Sequence, residues 1–178
     1  MNHMTAIQYL NKFDQQGRYV FTTKDLAKVF SEDSKRAFEA GLNRLVKHGV
    51  LLRACKGIYV FALSQHNGLD TLELIARAMR RGEYSYVSLE SALSQYGAIS
   101  QIPIDRLTIM TTGREGTYRT PFGTIEFTHT KRSVPDIINN IKEIGRPLRL
   151  ASKQTAYRDL KRVGRNIHLV EKEVINED

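Results

Sequence analysis

Arg36, Asn43, Arg44 and Lys47 are the side chains whose types and spacing best suit a chemical task. Arg, Lys and Asn donate hydrogen bonds to base edges and to phosphate oxygens, so a helix carrying them on one face can read and grip a DNA duplex from the major groove. At about 100° per residue these side chains and Ala40 fall within about 100° of helical arc, and Ala40 lets such a helix approach closely. Lys35 at the start of the segment favours phosphate, while Thr23 and Lys24 are spaced to hold the adjacent backbone. Arg53 and Lys56 add positive charge in the stretch that follows. Glu39 and the acidic turn Glu32-Asp33 repel phosphate wherever they face it, which argues against an indiscriminate basic clamp.

These residues need a scaffold, and the apolar spacing supplies one. Met4, Ile7, Leu10 and Phe13 recur every three residues, predicting a first helix that ends near Gly17. A short β-prone run, Tyr19-Val20-Phe21, leads to Thr22-Thr23, which caps a second helix through Phe30. After Ser31-Glu32-Asp33-Ser34 a third helix runs to about His48, burying Phe38, Leu42, Leu45 and Val46 opposite the basic face. Val50 to Ala54 and Ile58 to Phe61 then read as a hairpin turning at Cys55-Lys56-Gly57. Three helices and a hairpin are the order of a winged helix-turn-helix. The polar stretch Ser64 to Gly68 reads as a linker, giving domains over 1–65 and 69–178.

The second domain is expected to be mixed α/β, so the whole chain is α+β. Helices are predicted over Leu69 to Arg81, after Ser88 to Tyr96, from Pro135 to Ile144, and over Lys153 to Val163. Strands are predicted over Tyr84 to Val87, Ile104 to Thr111 and Thr124 to Thr128, with Gly113 to Thr120 as a polar loop. The acidic tail from Glu171 to Asp178 is expected to fray at its end.

Charge supports an anionic partner: 27 Lys and Arg against 19 Asp and Glu give a formal net charge of +8. Residues 1–65 carry ten of the cations against five acids, and residues 128–165 carry ten against three. The latter excess implies a second basic surface formed by Lys131, Arg132, Arg149, Lys153, Arg158, Lys161, Arg162 and Arg165, with Arg146 nearby. Phosphate contact and a merely solvated helix face are both open readings of it.

Other chemistries find little to stand on. Cys55 is the single cysteine, which excludes an internal disulfide and a Cys-rich zinc site and suits a reducing cytoplasm. The five histidines are scattered without HExxH spacing, so neither a metal nor a cofactor is expected. Gly113-Arg114-Glu115-Gly116 lacks the pattern of a phosphate-binding loop, and no catalytic residue is assigned. No apolar run is long enough to span a bilayer, and the expected location is the cytoplasm.

Two blocks of sequence resemble the AbiEi antitoxin family. The first ends in Leu45-Val46-Lys47-His48-Gly49-Val50-Leu51-Leu52-Arg53 and Lys56-Gly57-Ile58-Tyr59. The second contains Ser88-Leu89-Glu90-Ser91-Ala92-Leu93, Tyr96-Gly97-Ala98-Ile99, Ile109-Met110-Thr111-Thr112-Gly113-Arg114 and Gly123-Thr124-Ile125-Glu126-Phe127. A third stretch, Ala151 to Leu160, departs from the family by carrying Lys153-Gln154 and Tyr157 where an acidic residue and an Ala-Leu-x-Asp run are usual. The resemblance implies a cytoplasmic bacterial regulator whose winged helix represses its own operon at inverted repeats. It further implies a C-terminal domain that opposes a nucleotidyltransferase-like toxin without a stable complex. From the residues alone, double-stranded DNA is the expected partner, and a protein-docking module using the same surfaces is the alternative.

Overall fold

Capping chemistry sets the element boundaries at the start of the chain. Asn2 accepts the Met4 N–H at 3.0 Å and opens α1 (His3–Asp14). After β1 (Val20–Thr22), the Thr22 N–H donates to Asp25 Oδ2 at 2.8 Å and the Asp25 N–H to Thr22 Oγ1 at 3.1 Å. This reciprocal capping box starts α2 (Thr23–Val29). Ser34 accepts the Ala37 N–H at 3.3 Å and starts α3 (Lys35–Lys47). The chain then forms β2 (Leu51–Cys55) and β3 (Ile58–Phe61), joined by Lys56 and Gly57 alone. Gly57 has φ +80°, a conformation that strains any side-chain-bearing residue.

The computed structural model describes residues 1–100 and 105–177, and it separates into two units, Met1–Met79 and Arg80–Asp178. In the first unit β3 pairs antiparallel with both neighbours, giving the sheet order β1-β3-β2. Helix, strand, helix, helix and hairpin around such a sheet is the winged-helix architecture. Leu10, Phe21, Leu26, Leu45, Leu51 and Phe61 are buried at its centre. Each such side chain contributes on the order of 1.5–3 kcal/mol by leaving water.

The boundary between units falls later than the polar stretch suggests. α4 (Thr71–Met79) packs on β1 and β3, and the buried Tyr19 and Thr71 hydroxyls hydrogen-bond at 2.9 Å. Asp14 at the end of α1 fastens the expected linker: the Ser64 hydroxyl donates to it, the Gln65 N–H does so at 3.3 Å, and His66 Nδ1 lies 3.1 Å away. Burial alone would raise the Asp14 pKa, but these hydrogen bonds outweigh it and hold the carboxyl below its ordinary value. A polar composition here marks a hydrogen-bonded clasp, not a free connection.

The second unit is built on β4 (Ser85–Val87), β5 (Arg106–Thr111), β6 (Gly116–Thr120), β7 (Gly123–His129), β8 (Ile141–Lys142) and β9 (Arg149–Ala151). Their sheet order is β6-β7-β5-β4-β9-β8, with β5–β7 and β4–β9 parallel and the other neighbours antiparallel. α5 (Leu89–Gln95) and α7 (Lys153–Val163) pack together, and α5 also packs on β5. α6 (Val134–Asn139) and α8 (Lys172–Asn176) complete the unit. The α+β class with a mixed sheet is as the sequence predicts.

Several boundaries differ. Most of the expected loop Gly113 to Thr120, from Gly116 on, is β6, an edge strand whose single neighbour allows a polar sequence. The helix expected to reach Ile144 stops at Asn139, because the Asn140 amide donates to the Asp136 carbonyl at 2.7 Å and Ile141-Lys142 turns to pair with β9. The acidic tail carries a short helix, α8, held by buried Ile175, and the Glu171 N–H donates to the Ala98 carbonyl at 2.9 Å. Ile104, the expected start of a strand, and Asp178 lie outside the described residues.

Candidate nucleic-acid interface

α3 turns Phe38, Gly41, Leu42 and Leu45 into the core. The same periodicity forces Lys35, Arg36, Ala40, Asn43, Arg44 and Lys47 outward, and all six are exposed. Glu39 is exposed among them. The Lys, Arg and Asn side chains of this face make no ion pair or side-chain hydrogen bond within the described residues, so their donors are free for a ligand. Four cations and one acid along one helix give the face a strong positive bias. Arg44 also borders a cavity of about 290 Å³ lined by Met1, His3, Gly41, Leu45 and His48, where the His3 and His48 rings meet edge to face at 5.4 Å.

The flanking residues are placed differently from one another. Lys24 is exposed on the first turn of α2, and Arg53 and Lys56 are exposed on the hairpin. Thr23 is partly spent on the fold: its N–H donates to the Gly57 carbonyl at 2.9 Å and its hydroxyl to the same oxygen at 3.3 Å. That pair of hydrogen bonds to the hairpin tip ties the wing to the start of α2. Lys28, also exposed on α2, stands outside the set predicted from spacing.

The predicted second basic surface is not one surface. Arg132 turns inward, its Nη2 2.8 Å from Asp159 and its Nη1 3.2 Å from Asp136. Arg165 forks onto Glu90 at 2.7 and 3.0 Å and also reaches Glu126, which Arg106 holds at 2.8 Å. Arg149 pairs with Glu143 at 3.1 Å, Arg158 lies 3.7 Å from Asp136, and the Lys153 ammonium donates to the Glu177 carbonyl. Arg146 donates to Gln95 at 3.0 Å. Lys161 sits 4.6 Å over the Tyr157 ring. Lys131 and Arg162 are exposed without an ion pair among the described residues. What remains outward on α7 is a short basic stripe of Arg158, Lys161 and Arg162.

The acids that consume these arginines escaped attention in the sequence. Asp159 is fully buried, accepts from the Ser88 hydroxyl at 2.8 Å, and lies 3.4 Å from the Tyr86 hydroxyl. Burial outweighs Ser88 and Arg132 and raises its pKa, and burial beside Asp159 raises that of Tyr86. At Glu90 the balance is reversed: burial is the largest influence, but Arg165 and Asn166 together hold the carboxyl below its ordinary value. A signal was present, since Asp159 falls on the same helical stripe as Ala156, Leu160 and Val163. Ser88 leads into Leu89, buried at φ +56°, which is strained for a branched side chain. Thr108 braces this corner by donating to the Ser88 carbonyl at 2.7 Å and accepting the Ser91 N–H at 3.0 Å.

Among the described residues no group of three or more His, Cys, Asp or Glu side chains is placed to hold a metal ion, and no helix is long and apolar enough to cross a membrane. The chain is similar to a solved structure, the RV2827C protein from Mycobacterium tuberculosis, at a TM-score of 0.57 and 15% identity. That match covers 83% of this chain and 57% of the other, so the chain spans little more than half of its neighbour's length, and the likeness is one of fold. No curated protein matches the chain. Residues 8–62 match the family described as transcriptional regulator, AbiEi antitoxin. The stretch matched runs from within α1 through α2, α3 and the whole hairpin, so the likeness to AbiEi antitoxin transcriptional regulators is carried by the winged-helix segment.

Proposed function

We propose that the protein is a sequence-specific double-stranded DNA-binding autorepressor and the antitoxin of an abortive-infection type operon. The observation that carries this reading is the outward face of α3, where Arg36, Asn43, Arg44 and Lys47 stand exposed and unpaired. Asn43 and the arginines have the donor geometry to read adenine and guanine edges, while Lys35, Lys24, Thr23, Arg53 and Lys56 hold phosphates on either side. Bound protein occupies the operator and blocks transcription. The family description of the matched segment supports the regulatory and antitoxin roles. The opposed toxin is nucleotidyltransferase-like on the resemblance given above, and its neutralisation requires no stable complex. The protein works in the cytoplasm, without cofactor or catalytic step.

Fluorescence anisotropy with a duplex from upstream of the gene and a scrambled duplex, across a salt series, tests this. The expected result is preference for the native duplex, with affinity falling steeply as salt rises because neutralised phosphates release counterions. Absence of binding to either duplex at low salt overturns the proposal and favours a protein-docking role for the same surfaces.

A further inference from the structure

Glu39 is the one acid on the outward face of α3, and the fold gives it no internal task. It is exposed, and among the described residues it has neither an ion pair nor a side-chain hydrogen bond, although Lys35 and Arg36 lie one turn before it. The order of charges accounts for that: a cation N-terminal to an acid is the weaker arrangement for helical pairs at this spacing. A carboxylate so placed weakens every phosphate contact around it. On a face otherwise built for a polyanion, that cost is offset only if the carboxylate meets a hydrogen-bond donor in the groove.

We infer that Glu39 reads cytosine. The inference rests on the assignment of α3 as the DNA-reading helix and adds the base that its acid selects. Within α3, Glu39 lies in the N-terminal half with Arg36 and Ala40. Recognition helices of this type bring their N-terminal residues to the base edges. In the major groove the cytosine amino group is a donor with no acceptor on the same base edge, which suits a carboxylate. Adenine also presents an amino donor, but its N7 acceptor beside it repels a carboxylate. Guanine and thymine offer acceptors at the corresponding positions. The acid therefore discriminates among bases while limiting adhesion to DNA of any other sequence.

The test selects duplexes from a randomised library with the full-length protein and with Glu39→Gln and Glu39→Ala, and sequences the bound fraction. The wild type is expected to prefer cytosine at one position by about tenfold or more. Glu39→Gln should move that position toward adenine, whose amino and N7 groups a glutamine amide satisfies together. Glu39→Ala should flatten it while leaving the other positions unchanged and should bind a scrambled duplex more tightly than the wild type does. If the wild type selects a sequence and neither variant alters a cytosine position, the role of Glu39 is overturned and the repressor reading stands. A wild type that selects no sequence overturns both.

Discussion

The two units spend their cations in opposite ways. In the first, the cations of α3 stand exposed with no acid attached, and the positive charge of the sequence becomes positive surface. In the second, Arg132, Arg149, Arg158 and Arg165 each face a carboxylate, and two of these arginines serve acids that are almost wholly buried. A local excess of Lys and Arg thus measures available charge only where the acids that could answer it lie elsewhere. Two kinds of polar investment are thus distinct, one left open to solvent and one closed on itself to fix a core.

The largest expected effect is on the closed side. Arg165→Ala leaves Glu90 and Glu126, both nearly buried, without their shared guanidinium. It should destabilise the second unit by about 3–5 kcal/mol, read as a lower denaturation midpoint. On the open side, Asn43→Ala or Arg44→Ala should cost about 1–3 kcal/mol of discrimination between native and scrambled duplexes, with thermal stability within about 0.5 kcal/mol of wild type. A large loss of stability there would show that the face is not open after all.

A third effect follows from Asp14. Its folded pKa is depressed, so the stability it lends is complete above the ordinary aspartate pKa of about 3.9 and is lost as pH falls through the folded value. Asp14→Asn should be about 1–2 kcal/mol less stable than wild type at neutral pH, and urea melts should show the gap closing as pH falls below about 4. Asp159 has the opposite sign: its raised pKa contributes stability that fades as pH rises through the folded value. The smallest effect belongs to Arg162→Ala on the remaining α7 stripe. Stability should stay within about 0.5 kcal/mol, and if that stripe touches phosphate the salt slope of DNA binding should drop by about one. An unchanged slope assigns the stripe to solvent.

Much of the first unit is legible in the sequence because its determinants are local. Thr22 and Ser34 announce helix starts, Gly57 announces the hairpin turn, and helical spacing alone sorts the exposed residues of α3 from the buried ones. The second unit resists because its decisive pairings are distant: Arg165 meets Glu90 across 75 residues, and no periodicity announces that meeting. β8 and β9 are too short to carry an alternation, so the apolar run through Ile141 and Ile144 imitates a longer helix. Ser64 to Gly68 looks like a linker because its polar side chains serve Asp14, a partner fifty residues away.

On the proposed DNA-binding reading, the tie between Thr23 and the Gly57 carbonyl bears on how fast the protein finds its duplex. Because the turn of the wing is two residues long and pinned at its tip, docking requires no loop to fold and loses little conformational entropy at that contact. Association then proceeds at a rate set by orientation and diffusion, commonly about 10⁵–10⁷ M⁻¹s⁻¹, raised by the field of the α3 cations and slowed as salt screens it. On that reading a pinned wing makes arrival an electrostatic event and leaves residence time to the side chains proposed to touch the bases.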